Sequence, residues 1–123
     1  MKFDVVVIGG GAAGLMAAAF AAESGKKVAV LEKNERTGRK ILVTGKGRCN
    51  VTNNVSDVQS FIQNIPGNGR FLYGAFSSFD NNDVMSFFEG YGVPLKVERG
   101  DRVFPESDKA MDIVDALNRY ITS

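Results

Sequence analysis

The chain has 123 residues, 44% hydrophobic and 24% charged, with a formal net charge of +1. That length fits one domain, and the near-neutral charge argues against a general polyanion binder. Histidine is absent and Cys49 is the only cysteine, which excludes an intrachain disulfide, His-dependent nucleophilic catalysis and histidine-ligated zinc. We therefore expect a cytoplasmic protein whose chemistry comes from a cofactor, a carboxylate, a lysine, the one thiol or hydroxyl groups.

The first thirty-one residues predict a strand, a turn, a helix and a second strand. The β-branched run at residues 3–8 is typical of a parallel strand buried on both faces. Small residues from about 12 to 24 predict a helix, with Gly25 as its C-terminal cap. Residues 27–31 predict the second strand. Residues 5–22 are uncharged and mostly apolar, but Asp4 and three consecutive glycines argue against a signal peptide or a membrane span.

The turn after the first strand, Gly9-Gly10-Gly11-Ala12-Ala13-Gly14, fits the G-x-G-x-x-G fingerprint of dinucleotide-binding folds. Gly9 permits a tight turn, Gly11 lets a pyrophosphate approach the backbone, and Gly14 lets the helix lie close to the strand. The N-terminus of the helix favours phosphate. Glu32, at the end of the second strand, is placed to accept hydrogen bonds from both hydroxyls of an adenosine ribose. It would repel a 2′-phosphate, which favours FAD or NAD over NADP.

Positive charge is concentrated after Glu32. Between residues 33 and 48 one acid faces six basic side chains: Lys33, Arg36, Arg39, Lys40, Lys46 and Arg48. This pattern favours a local anion site over a nucleic-acid surface. The segment is predicted to form one short helix at residues 39–43 and then a loop. Gly45-Lys46 does not begin a P-loop helix, because Gly47 stands where Ser or Thr should follow the lysine.

Four motifs together resemble the bacterial BaiN-like, aminoacetone-oxidase-like FAD flavoproteins of the glutathione-reductase-like two-dinucleotide-binding superfamily. They are the glycine turn, Leu31-Glu32-Lys33, Gly38-Arg39-Lys40 and residues 45–53, and residues 103–114 are similar to the next segment of that family. The resemblance implies FAD as cofactor. The partner that exchanges electrons with the flavin is open between NAD(P)H, oxygen and another molecule. The cofactor-binding residues expected from the fingerprint and the resemblance are Gly9, Gly11, Ala12, Ala13, Gly14, Glu32, Lys33, Arg39, Lys40, Gly45, Gly47, Arg48, Cys49 and Asn50.

Within this set, the resemblance implies a division of roles. Gly9, Gly11, Gly14 and Glu32 would contact the ADP half of FAD, whereas Arg39, Lys40 and the loop at residues 45–50 would lie toward the pyrophosphate and flavin. Members of that family are considerably longer, with a discontinuous FAD domain, an inserted substrate domain and a C-terminal return. Residues 1–123 would then form the N-terminal part of the FAD domain, without the substrate domain and the return.

We therefore expect an α/β fold, a partial Rossmann-like FAD-binding domain with an incomplete sheet. After the β-α-β start, apolar residues at helical spacing predict helices at residues 56–65, capped by Ser56, and at 71–79 and 82–90. Their phenylalanines are assigned to the core rather than to a pocket. Residues 95–98 and 102–105 predict a hairpin, and Ser107 or Asp108 caps a helix to about Ile121. No repeat or linker composition indicates an internal boundary.

Two functions of different classes remain open. The first is the N-terminal part of an FAD-dependent oxidoreductase, with a small-molecule cofactor and substrate as partners and no identified catalytic residue. Cys49 is interpreted as a packed thiol rather than a redox group, and Lys46 or Arg48 is a candidate to stabilise negative charge on reduced flavin. The second is a non-catalytic NAD-binding or structural module that associates through exposed sheet edges or apolar surface.

Overall fold

The computed structural model describes residues 1–122, with only the backbone of Thr122. The chain forms two compact units: unit 1 contains Met1–Cys49 and the chain from Ser107 onward, and unit 2 contains Asn50–Glu106. The sequence shows no linker-like composition after Cys49 or after Glu106, where the chain passes from one unit to the other. The division into two units was therefore not predicted. No helix among the described residues is both long enough and apolar enough to cross a membrane.

Unit 1 begins with the predicted β-α-β motif. Strand β1 (Val5–Ile8) is followed by helix α1 (Ala12–Glu23) and strand β2 (Val28–Leu31). The two strands are parallel, with Val5 opposite Val28 and Ile8 opposite Leu31. The predicted motif is therefore confirmed, with each strand beginning one or two residues later than the sequence indicated.

The core of unit 1 lies between helices. Helix α1 packs against β1, β2 and helix α6 (Ala110–Thr122), and the short helix α2 (Arg39–Val43) packs against α6. The side chains that are buried in these helices are mostly small or branched: Leu15, Ala18, Ala19, Ile41, Ile113, Val114, Ala116 and Leu117. Small residues on α1 let two helices and a sheet approach one another closely.

One face of the β1–β2 sheet is uncovered in the described residues. Val6 is 51% exposed, Ile8 79% and Leu31 55%. The prediction that the first strand is buried on both faces is therefore wrong for this chain. A continuous β-branched run indicates a strand that suits two covered faces, but α1 covers only one of them here.

Unit 2 contains the predicted hairpin. Strand β4 (Leu95–Glu98) and strand β5 (Arg102–Pro105) are antiparallel, with Glu98 opposite Arg102. The short strand β3 (Thr52–Asn53) pairs with the other edge of β5. The buried Asn81, 3% exposed, donates from Nδ2 to the carbonyls of Asn53 (2.6 Å) and Val55 (2.8 Å). A buried amide needs such partners, and these two bonds connect the start of α5 to the chain around β3.

The helices of unit 2 differ from the prediction at their ends. Helix α3 (Val58–Gln63) is capped by Asp57 and not by Ser56, because the Asp57 carboxylate accepts from the Ser60 amide at 2.7 Å. The predicted helix at residues 71–79 is a 3₁₀ turn, Gly69–Leu72, followed by helix α4 (Tyr73–Ser78). Helix α5 (Asn81–Gly90) begins one residue early, with a capping box between Asp80 and Asp83.

The assignment of the phenylalanines to the core is confirmed for Phe88 and wrong for Phe71. Phe88 is buried, whereas Phe71 is 82% exposed at the 3₁₀ turn. Apolar spacing predicted one continuous helical face through residues 71–79. Leu72 and Ala75 of the same predicted face are also exposed, and helix α4 has no buried residue, so this stretch is not packed as its apolar spacing predicts.

Replacement of Gly14 by Ala is expected to destabilise unit 1 by about 2 kcal/mol. A Cβ at Gly14 would overlap the Gly9 carbonyl oxygen and lie 3.3 Å from Val7 Cγ1. The matched control is Gly11→Thr, since a Cβ there meets no atom within 4 Å and Thr is a good N-cap. Urea unfolding of both variants measures the difference. Equal stability of the two variants would contradict the close packing at Gly14.

Candidate dinucleotide-binding site

The glycine turn has the geometry that the fingerprint predicts. Gly9 has φ +99°, a region that glycine enters without strain, and its amide donates to the Leu31 carbonyl at 2.8 Å. Gly14 packs directly on the Gly9 carbonyl. Gly11 faces open space, so its backbone is accessible to a large group.

Helix α1 presents free amides at this turn. Its first internal bond is from the Leu15 amide to the Gly11 carbonyl, at 2.9 Å. The amides of Ala12, Ala13 and Gly14 therefore have no partner within the helix. Gly11 is the N-cap, with φ −85° and ψ −169°, and contributes no capping side chain. These amides and the partial positive charge of the helix N-terminus suit an anion.

Glu32 is held beside the glycine turn by two backbone amides. Its Oε1 accepts from the Gly10 amide and its Oε2 from the Asn34 amide, each at 2.8 Å. The Asn34 amide first, and then the Gly10 amide, lower the pKa of Glu32 below its ordinary value. The side chain is therefore an anion at neutral pH. A carboxylate has about four acceptor positions, of which the two backbone amides and a hydrogen bond from the Asn34 side chain use three.

A cleft of about 690 Å³ lies beside this carboxylate. It is at the C-terminal ends of the parallel strands, where ligands bind in open α/β sheets. The residues that line it come from both strands and from the chain after β2: Ile8, Gly9, Val30, Leu31, Glu32, Lys33 and Asn34. The structure thus brings the turn, Glu32 and Lys33 to one place.

A second, basic cleft of about 500 Å³ continues along the chain after Lys33. Its lining residues are Lys33, Asn34, Glu35, Arg36 and Arg39. Arg39 Nη1 donates to Asn34 Oδ1 at 3.2 Å, which connects Arg39 to the segment that follows Glu32. Lys40, the next residue on α2, is exposed. The positive charge of the sequence is therefore presented on the surface of unit 1.

The loop after α2 has an unusual backbone. Gly45 and Gly47 have positive φ, as do Lys46 (57°) and Cys49 (63°). The Cys49 amide donates to the Thr44 carbonyl at 3.0 Å, which closes the loop on itself. Positive φ at a lysine and a cysteine is uncommon, so this shape is maintained by the surrounding bonds.

Arg48 and Asn50 are both bonded to other parts of the chain. Arg48 Nε forms an ion pair with Asp108 Oδ1 at 2.8 Å. Asn50 is the first residue of unit 2, and with its amide nitrogen facing the hairpin it donates to the carbonyls of Val103 (3.2 Å) and Thr52 (3.0 Å). Residues 44–49 bond within the loop, to the Ile41 carbonyl of α2 and to Asp108. These contacts do not test the predicted approach of this loop to a flavin.

Cys49 is a packed thiol. Its side chain is 7% exposed, and burial raises its pKa above the ordinary value of 9.0, with a smaller opposing effect from a hydrogen bond with Thr44. A thiol with a raised pKa is a poor nucleophile at neutral pH. The interpretation of Cys49 as structural agrees with these properties.

Sequence reasoning missed three residues that shape the site. Gly10 lies inside the recognised glycine run, yet its amide bonds Glu32, and a Cβ on it would lie 2.7 Å from Thr37 Cγ2. Thr37 and Asn34 belong to the basic segment, whose sequence pattern is one of charge and gives no sign of the roles of an amide or a methyl group. No sequence signal marked them. No group of acidic or cysteine side chains that would hold a metal occurs in the described chain.

Glu32→Gln is expected to reduce the slope with which the free energy of unfolding falls in acid. The pKa of Glu32 is lower in the folded chain than its ordinary value of 4.5, so the bonds to its carboxylate stabilise the fold above pH 4.5. That stabilisation is lost as the pH falls through the folded-state pKa. Urea unfolding over a pH series measures the slope. Glu35→Gln controls for the loss of one negative charge, and the same acid slope in wild type and Glu32→Gln would contradict the assignment.

Cys49 is expected to react slowly with iodoacetamide in the folded protein at mildly alkaline pH. Burial and the raised pKa keep the thiolate fraction small and restrict access. The measurement is the mass increase with time, in buffer and in urea. Alkylation at the same rate in both conditions would show that the thiol is accessible and reactive.

The sequence of this chain was compared with family models and with known proteins. Residues 3–123 match the family model described as HI0933-like protein Rossmann domain. The chain is 37% identical over 113 residues to 3-dehydro-bile acid delta(4,6)-reductase of Clostridium scindens, covering 90% of this chain and 27% of that protein. It is 32% identical over 116 residues to ribosomal RNA dihydrouridine synthase of Escherichia coli, covering 94% and 28%.

The Haemophilus influenzae protein with the latter name is 33% identical over 112 residues, covering 91% of this chain and 27% of the relative. The chain thus spans slightly more than a quarter of the length of the curated relatives that it matches. The match to the family model extends over nearly all of the chain, through both units and the glycine turn. The chain belongs to the HI0933-like Rossmann-domain family.

Proposed function

We propose that this chain binds the adenosine and pyrophosphate half of FAD, as the N-terminal part of an FAD-dependent oxidoreductase. The observation that carries the proposal is the placement of the Glu32 carboxylate beside the Gly10 amide, at the edge of the cleft formed by the C-terminal ends of β1 and β2. An anionic acceptor and a glycine turn at this position suit the two ends of an ADP group.

At the ribose end of the proposed site, the Glu32 carboxylate supplies the hydrogen-bond acceptor. Glu32 uses one acceptor position on each oxygen for the Gly10 and Asn34 amides. The Asn34 side chain also donates to this carboxylate, which leaves one acceptor position for a ribose hydroxyl. Because the lowered pKa keeps Glu32 ionised, a 2′-phosphate would be repelled, and an adenosine without that phosphate is favoured.

The pyrophosphate end of the proposed site is supported by space and by donors. Gly11 has no heavy atom within 4 Å of the position that a Cβ would take. The unpaired amides at the start of α1 point into the same region by helix geometry. A phosphate can thus approach the backbone without displacing a side chain.

The segment from Lys33 to Asn50 is proposed to continue along the cofactor. Lys33, Arg39 and Lys40 would add positive charge near the phosphates, and the loop with Gly45, Gly47, Arg48, Cys49 and Asn50 would face the flavin. Lys46 would then be the exposed cation available to stabilise negative charge there, because Arg48 is already paired with Asp108. Bound FAD supplies the redox chemistry, and the protein binds it and orients its ring.

The three relatives have two different names, and these refer to different substrates, a bile acid and ribosomal RNA. We therefore extend only the cofactor role and the reductive class of reaction to the native protein, with NAD(P)H as the proposed electron donor. Substrate recognition is assigned to no residue of this chain.

A second candidate function is a structural or NAD-binding module without catalysis. The uncovered apolar face of Val6, Ile8 and Leu31 favours it, because an exposed patch of this kind marks an association surface. The two candidates differ in what the purified protein carries. An oxidoreductase part yields yellow protein that releases FAD on denaturation, whereas the structural module is colourless and gains no thermal stability from FAD or NAD.

The native protein is expected to release FAD on denaturation, and Glu32→Arg and Gly11→Thr are each expected to weaken FAD binding about tenfold or more. Glu32→Arg removes the ribose acceptor, and Gly11→Thr fills the space proposed for pyrophosphate. Fluorescence titration of flavin-free protein measures the dissociation constant. Cys49→Ser is the control and should bind FAD like the wild type.

Unchanged affinity in both Glu32→Arg and Gly11→Thr would contradict the site. Colourless protein without any response to FAD would favour the structural module. A larger loss of FAD affinity in Cys49→Ser than in Glu32→Arg would indicate that the cofactor binds at the loop and not at the Glu32 carboxylate.

A further inference from the structure

Asn34 lies between the Glu32 carboxylate and the Arg39 guanidinium. Its backbone amide donates to Glu32 Oε2 at 2.8 Å, and its side chain makes a further hydrogen bond to the same carboxylate. On the other side, Arg39 Nη1 donates to Asn34 Oδ1 at 3.2 Å. Since Oδ1 accepts from Arg39, the donor to Glu32 is the Nδ2 of the same amide. One neutral amide therefore joins an anion to a cation.

Charge at both ends fixes the orientation of this amide. An ionised carboxylate only accepts hydrogen bonds, whereas the guanidinium of an arginine is always protonated and only donates. A flipped amide would place Oδ1 against the Glu32 carboxylate and Nδ2 against the Arg39 guanidinium, and both contacts would be repulsive. The side chain of Asn34 therefore satisfies both groups in one orientation. An aspartate at this position would have no donor for Glu32, and an alanine would have neither group.

Asn34 supplies most of the hydrogen bonds to Glu32. Of the three donors described for the carboxylate, two belong to Asn34 and one is the Gly10 amide. The Asn34 amide is the largest cause of the lowered pKa of Glu32, the Gly10 amide follows, and the charge effect comes from Lys33. Arg39 is thus connected to the carboxylate through the Asn34 amide. One acceptor position of Glu32 remains for a ligand.

The same amide lies where the two clefts of unit 1 meet. Lys33 and Asn34 line both the cleft beside Glu32 and the basic cleft that contains Arg36 and Arg39. A guanidinium has five N–H donors, and the bond to Asn34 uses one of those on Arg39. The other donors can meet a phosphate while the bond to Asn34 stays in place. An acceptor for a hydroxyl and a donor for a phosphate are therefore connected through one side chain.

We propose that Asn34 is a positioning residue for the ribose acceptor: its side-chain amide, oriented by Arg39, holds the Glu32 carboxylate so that one acceptor position remains for a ribose hydroxyl. Through this amide, the ribose end of an ADP group is coupled to its phosphate end. The proposal rests on the proposed function, because it requires a ribose at Glu32. It adds Asn34 to the site and gives Arg39 a role beside its positive charge.

The pKa of Glu32, measured by NMR from its carboxyl carbon in flavin-free native protein, tests this connection without a nucleotide. Asn34→Ala is expected to raise the pKa, because the side-chain donor is lost while the backbone amide stays. Arg39→Met is expected to raise it by less, because one end of the amide is released, and Arg39→Lys keeps a charged donor and should restore the wild-type value. Arg36→Met removes a cation from the same basic cleft and is the control, with no change expected.

The double variant Asn34→Ala, Arg39→Met distinguishes the amide connection from a direct effect of charge. Once the amide is absent, removal of the guanidinium should change the pKa of Glu32 no further. An equal rise from Arg39→Met with and without Asn34 would show that Arg39 acts by its charge alone, and would overturn the inference. The wild-type pKa in Asn34→Ala would overturn it as well.

Titration of the same variants with ADP, by isothermal titration calorimetry, tests the ligand. Asn34→Ala should weaken ADP binding about threefold to tenfold, and Arg39→Met should weaken it more in the presence of Asn34 than in Asn34→Ala. Unchanged ADP affinity in Asn34→Ala, or independent losses that add, would overturn the inference alone. Wild type that does not bind ADP would overturn the proposed function and, with it, the role of Asn34 toward a ribose.

Discussion

Gly10 makes two backbone hydrogen bonds that connect the glycine turn to the rest of unit 1. Its N–H donates to Glu32 and its carbonyl accepts from the Gly38 amide, so one residue joins the end of β2 to the start of α2. A side chain on Gly10 would collide with Thr37, and both bonds therefore require glycine. Gly10 thereby contributes, after the Asn34 amide, to the lowered pKa of Glu32, and it fixes Gly38 at the start of α2.

The parts of unit 1 differ in what maintains them. Helices α1 and α6 are held by buried small and branched side chains such as Leu15 and Leu117, which is the dominant contribution to stability. The loop after α2 is different, because Lys46 and Cys49 adopt left-handed backbone conformations and its ion pair, Arg48 with Asp108, is partly exposed and worth at most about 1 kcal/mol. A backbone that costs energy without burying much surface is typical of functional segments, which supports the role proposed for this loop.

The sequence predicted elements well where a local pattern carries the information. The β-α-β start, the short helix α2 and the β4–β5 hairpin follow from residue type and spacing and are confirmed. The predictions were wrong where two neighbouring residues could both cap a helix, or where packing against other residues determines whether a side chain is buried. Asp57 replaced Ser56 as a cap because its carboxylate reaches the Ser60 amide. Phe71 is exposed, and the helix that follows it has no buried residue, so no neighbour covers this apolar stretch in the described chain.

By itself, the sequence determined the glycine turn, the acid at the end of the second strand and the family resemblance, since all three are properties of short segments. Only the tertiary structure decided that Gly10 binds Glu32, that Asn34 lowers its pKa, and that Thr37 meets Asn118. Periodicity and composition report which face of an element is apolar. They do not report which distant side chain will be its neighbour, because that is set by the packing of α6 against α1 and α2.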